Sequence, residues 1–120
     1  MTLAGLAILL SGVGILVTGA LALLFLRDPA IGMKQATHRL ENLPQVMTDR
    51  YIAFTILAIG ATLYGDLKVI AVLFGTFAFM GFADALIYAR GGHPYGKHLA
   101  AGIAAGLVVL VALLALRQEA

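Results

Sequence analysis

Four residues of this chain could act together chemically: Asp84, Arg50, His98 and Tyr88. Asp84 sits late in a long apolar run, six positions before Arg90. In a membrane helix that places the carboxyl about 9 Å inside the helix end, at about 1.5 Å per residue. A carboxylate in hydrocarbon costs about 2.5–3.5 kcal/mol on insertion scales. It should therefore face the bundle interior and be protonated or paired. Such a group could carry a proton or bind a ligand. The plainer alternative is a structural ion pair, or a carboxylate reaching interfacial water.

The partners follow from chain direction. Arg50 opens the second apolar run, and Lys97 and His98 open the fourth, so Arg50, Asp84 and His98 come to one end of the bundle at similar depth. An arginine there would attract an anion and favour an ionised Asp84, whereas burial would oppose ionisation. His98 supplies a side chain able to exchange a proton near neutral pH, although an interfacial residue at a helix start is the plainer reading. Tyr88 lies four residues after Asp84, shares its helix face and could hydrogen-bond it.

Other chemistries find less support. His93 lies in a Gly-rich turn and reads as a solvated loop residue. The spacing of His93, His98 and Asp84 matches no ligand motif, so no metal is expected. A single His98 carries no specificity for haem, and no cofactor is expected. There are no cysteines, which excludes disulfides, thiol redox chemistry and thiolate metal sites. We find no serine nucleophile with a base, no phosphate-binding glycine loop and no carboxylates paired at catalytic spacing.

The elements that position these residues are apolar helices. The 120 residues are 62% hydrophobic and 12% charged, against roughly 25% charged in a soluble domain. So apolar a surface calls for lipid as its solvent. The net charge of +2 is small and no basic stripe follows a polar face, so nucleic acid is not an expected partner. Crossing about 30 Å of hydrocarbon takes about 20 apolar residues. Four spans meet this, at about 3–26, 46–65, 67–89 and 97–117, within one transmembrane domain covering 1–120. The first is too long for the apolar core of a signal peptide, and its small residues are not gathered at a cleavage site. It reads as a retained helix. No segment alternates as a membrane strand must. The expected fold is therefore all-α, an integral membrane four-helix bundle.

The one long polar connection is 27–45, with a short surface helix expected over Lys34–Glu41 between Pro29 and Pro44. Thr48 is the expected cap of the second span. The connection at Gly65–Asp66 is very short, and Arg90-Gly91-Gly92-His93-Pro94 is a turn by composition. Spans two, three and four are then antiparallel neighbours. Arg27, Lys34, Arg39, Arg50, Arg90 and Lys97 fall on one side, and Lys68 and Arg117 on the other. Basic residues favour the cytoplasm, so loop 27–45 is expected there and both termini outside. Tyr51, Tyr64, Tyr88 and Tyr95 fall near span ends, as an aromatic belt would. Phe74, Phe77, Phe79 and Phe82 cover most of the third helix and suit packing and lipid contact. Gly102 and Gly106 form a GxxxG pair. Gly14, Thr18 and Ala22 make a similar row, as do Ala71 and Gly75. Close packing within the chain is the simpler use of these rows, and a homo-oligomer contact is the alternative.

Several residues in order carry a family resemblance. Pro29 and Gly32 follow the first span. Arg50 opens a second span containing Gly60. Asp84 falls late in the third, a Gly-Gly turn follows, and His98 and Gly102 open the fourth. The chain resembles the small bacterial membrane proteins of domain-of-unknown-function family 4267 over most of its length. One departure is Tyr51 after Arg50, where the resemblance leads us to expect an acidic residue; here Asp49 precedes the arginine. The resemblance implies four helices and a bacterial inner membrane, and no mechanism. Small multidrug transporters share the length and number of spans but use a glutamate in the first span, which here holds no acid. Quinone-linked thiol oxidoreductases need cysteines.

Three functions stay open on sequence. One is binding or transport of a small amphipathic or anionic molecule, with Arg50 attracting it, Asp84 responding to protonation and His98 tuning that response. Another is acid–base catalysis on a lipid-soluble substrate by Asp84 and His98. The last is a packing subunit in which Asp84 and Arg50 form a structural tie.

Overall fold

The computed structural model describes all residues from Met1 to Ala120. Five α-helices follow in order: α1 (Leu3–Arg27), α2 (Pro29–Gln35), α3 (Leu43–Tyr64), α4 (Leu67–Arg90) and α5 (Gly96–Glu119). A 3-10 turn at Leu40–Asn42 leads into α3. The fold class is all-α, and α1, α4, α5 and the segment Leu40–Tyr64 are long and apolar enough to cross a membrane. Helices of this length reach about 36 Å, enough for about 30 Å of hydrocarbon with some tilt. The chain divides into two compact units, Met1–Asp49 and Arg50–Ala120, and the boundary falls within α3.

The helix starts have local causes. The Thr2 hydroxyl accepts from the Gly5 amide at 3.1 Å, capping α1. The Asp66 carboxylate accepts from Lys68 and Val69 amides at 2.8 and 3.1 Å, capping α4. Asp28 does the same for Ala30 and Ile31, at 2.9 and 3.3 Å. That cap, with Pro29 at the first helical position, starts the surface helix α2 at Pro29. The helix expected over Lys34–Glu41 is thus displaced toward the N-terminus, and proline begins it instead of fencing it off. Likewise α3 starts at Leu43, three residues before the expected 46, because Pro44 fits a first turn. Thr48 is then inside the helix, not its cap, and its hydroxyl donates to the Pro44 carbonyl at 3.0 Å. Thr18, Thr55, Thr62 and Thr76 donate to carbonyls four residues back in the same way. A hydroxyl satisfied on its own helix needs no water, which suits an apolar surround.

In the first unit, α2 folds back against the end of α1. Gly32 is buried there, and a Cβ at that position would lie 2.6 Å from the Phe25 ring. Glycine is what lets the ring come this close to the α2 backbone.

In the second unit, α4 and α5 form an antiparallel hairpin. On α4 the buried or half-buried positions include Leu67, Ala71, Phe74, Ala78, Gly81 and Ala85; on α5 they include His98, Gly102, Ala105, Val109 and Ala112. Steps of four and three alternate on both helices, the heptad seam of a coiled coil. Small residues dominate the seam, so the backbones come close. A Cβ at Gly81 would lie 2.6 Å from the Gly102 amide nitrogen and 2.7 Å from its Cα. Gly102 itself lies under the Phe82 ring. The expected GxxxG pair splits: Gly102 is at the crossing, and nothing lies within 4 Å of a Cβ at Gly106. Phe54 of α3 meets Phe77 of α4 at 5.6 Å between ring centroids, and Tyr51 and Phe74 extend that aromatic row.

Candidate functional site

The α4–α5 crossing decides which polar groups meet. With Gly81 opposite Gly102, antiparallel register sets Asp84 opposite His98, one turn nearer the connecting turn. Asp84 Oδ2 and His98 Nδ1 are 3.7 Å apart. Beyond them, the Tyr88 ring stacks on the His98 ring, with centroids 4.7 Å apart and planes inclined by 8°. His93 meets Tyr88 edge-on at 6.1 Å. Four side chains therefore form a continuous row: carboxylate, imidazole, phenol ring and imidazole.

The turn that places His93 is itself determined by local chemistry. The His93 amide donates to the Tyr88 carbonyl at 2.9 Å, and the Gly92 amide to the Ala89 carbonyl at 3.2 Å. This is the paired closure of a Schellman motif, which needs a left-handed residue at its centre. Gly92 supplies it with φ of 72°. The motif habitually brings the residue after the glycine against the residue five before it. His93 and Tyr88 are those two residues, so the sequence did carry a signal for His93 that its reading as a solvated loop residue overlooked.

Two positions differ from expectation. Asp84 does not turn into a closed interior: its side chain is 47% exposed and that of His98 33%, at the edge of the seam. Tyr88 shares the Asp84 face as expected, but its ring is committed to His98. Arg50 is exposed and makes an interaction with another group. The polar row consists of Asp84, His98, Tyr88 and His93. These do not make a metal-holding cluster of three histidine or carboxylate ligands.

The Asp84–His98 separation sets the chemistry. A direct N–H···O bond falls at about 2.7–3.2 Å. At 3.7 Å the pair is electrostatically coupled but not closed, and a polar atom between or beside the two groups can contact both. The flat Tyr88 ring fixes one face of the imidazole, so His98 presents its ring edge in a set direction. The row thus offers an acceptor, a group that gains or loses a proton, and an aromatic surface. An open groove of about 410 Å³ lies far from it, toward the other end of the hairpin. Leu67, Ile70, Leu107, Val108, Val111 and Ala112 line that groove, all apolar.

No protein-family model, curated protein or solved structure matches the chain. The expected resemblance to family 4267 gains no support from a family model.

Proposed function

We propose that this membrane protein binds or transports a small amphipathic molecule, anionic at its head, at the Asp84–His98–Tyr88 row, and that protonation governs its hold. The observation that carries the reading is the 3.7 Å approach of Asp84 and His98 under a stacked Tyr88 ring. An imidazole can exist as a neutral ring or as a cation. When His98 is neutral, Asp84 leaves the row negative and repels an anion. When His98 takes up a proton the pair becomes neutral overall, and the anion gains a charged donor. Tyr88 would lie along the molecule's apolar part. Arg50, at the same end of its unit by chain direction, would draw the anion in. The basic connections would face the cytoplasm of a bacterial inner membrane, with both termini outside.

A structural clasp is the competing reading, because the pair joins the two helices that pack most closely. The two readings separate on binding. In lipid nanodiscs, radiolabelled taurocholate, whose sulfonate stays ionised, should bind about tenfold more tightly at acid than at alkaline pH, a difference of about 1.4 kcal/mol. His98→Gln should abolish the dependence and hold binding at its weaker level, whereas Asp84→Asn should strengthen binding in both charge states of His98. Taurocholate should also move the His98 ring resonances. Pure clasp behaviour would show as altered thermal stability in both variants, with neither taurocholate binding nor His98 resonances responding. That outcome would sink the binding site.

A further inference from the structure

We propose that the polar tip of the α4–α5 hairpin binds the phosphate of an anionic lipid headgroup. Arg90, His93 and Lys97 fall within eight residues, and no acidic residue occurs between Asp84 and Glu119. All three side chains belong to exposed residues. Neither Arg90 nor Lys97 is ion-paired within the chain. Arg39, by contrast, is held by Glu41 at 2.7 Å.

The two ends of the hairpin differ in charge. At the far end, Lys68 and Arg117 stand among Asp66 and Glu119, two basic residues against two acidic ones. At the tip, Arg90 and Lys97 face the one acid Asp84, so the charge stays net positive whether or not His98 carries a proton. Both helices are long and apolar enough to span, so their shared end falls at headgroup depth. Phosphate is the anion present there at high local concentration. Tyr88 and Tyr95, 42% and 46% exposed, are suited to the same layer. The chain reverses at Gly92, so Arg90 closing α4 and Lys97 opening α5 flank one turn. A guanidinium can grip two phosphate oxygens while an ammonium adds a point charge. The lipid, rather than free phosphate, is the assigned source, because the apolar spans already hold the tip in the headgroup layer.

This surface can fail while the Asp84–His98 site stands, because Arg90 and Lys97, whose charges carry it, lie outside that row. Spin-labelled phosphatidylglycerol and phosphatidylcholine, each in the full-length protein reconstituted in phosphatidylcholine vesicles, give the preference directly. Both leaflets carry the probe, so insertion orientation does not enter. The wild type should prefer phosphatidylglycerol several-fold, and each charge removed in Arg90→Gln and Lys97→Gln should reduce that by up to roughly fivefold. The reciprocal pair Arg90→Lys with Lys97→Arg should retain it, as should Lys68→Gln at the far end. Added salt should weaken it. Equal association of the two lipids with the wild type would overturn the assignment. So would undiminished preference in the doubly neutralised variant, or loss of preference in excess inorganic phosphate at matched ionic strength.

Discussion

Helix α1 and the α4–α5 hairpin are built from similarly apolar sequence, with mean hydropathies of 2.4 for α1 and 2.0 and 2.8 for the hairpin helices. Each within its own unit, they differ completely in burial. No residue of α1 is buried, whereas α4 buries Ala78, Gly81 and Ala85, and α5 buries Gly102, Ala105 and Ala112. Every buried position of the hairpin is alanine or glycine. Apolarity takes a helix into lipid but gives it no reason to leave lipid for another helix; close backbone approach does. Small residues alone are not sufficient either. Gly12, Gly14 and Gly19 of α1 have nothing within 4 Å of where a Cβ would stand. The hairpin adds a short connecting turn and a shared four-three spacing, so its small residues oppose each other along much of the seam.

The contrast breaks most sharply at Gly81. Gly81→Ala drives a Cβ into the Gly102 backbone, which cannot rotate away as a side chain would. Overpacking of this kind costs about 1–3 kcal/mol. We expect that loss in reversible unfolding in mixed micelles, together with a changed Asp84–His98 distance by spectroscopic ruler. Gly106→Ala and Gly14→Ala, with open space at the Cβ, should stay within about 0.5 kcal/mol of wild type. Equal effects at Gly81 and Gly106 would refute the seam.

A smaller loss is expected from the start of the hairpin. Asp66→Ala removes the acceptor for two α4 amides and should cost about 1 kcal/mol. Asp66→Asn keeps an acceptor and should recover most of it. Hydrogen exchange at Lys68 and Val69 would report the change: if their amides stay as protected in Asp66→Ala, the cap contributes nothing.

The smallest effect has the opposite sign and compares the two Schellman closures. After α2, the His38 amide donates to Met33 and the Thr37 amide to Lys34, the same pattern that closes α4. There, however, the left-handed position is Thr37, at φ of 60°, where α4 has Gly92. A β-branched residue is disfavoured in that region by roughly 1 kcal/mol. Thr37→Gly should raise stability by somewhat less, because glycine also gains freedom in the unfolded chain. Gly92→Thr should lower it and loosen the His93–Tyr88 contact. A destabilised Thr37→Gly protein would mean that the threonine side chain holds the turn in some other way.

Much of the molecule was legible beforehand. Spans, their order, the short connections and the one acid deep in a span all follow from local hydropathy and turn chemistry, which the chain carries residue by residue. Asp84 and His98 could be brought to one end by direction alone. At α2 the Asp28 cap makes Pro29 the first helical residue, and at α3 Pro44 falls in the first turn, so both helices begin earlier than expected. The i to i+4 relation offers Tyr88 a hydrogen bond to Asp84, whereas its ring stacks on His98 of the next helix. Sequence by itself determined that this is a chain of apolar helices with one acid deep in a span, because transfer into lipid depends on each segment's own composition. Only tertiary structure decided that Gly102 and not Gly106 meets its neighbour, and that Asp84 opens to an edge while His98 lies under Tyr88. Rotation and register of one helix against another are set by which small residues oppose each other, and that depends on both helices at once.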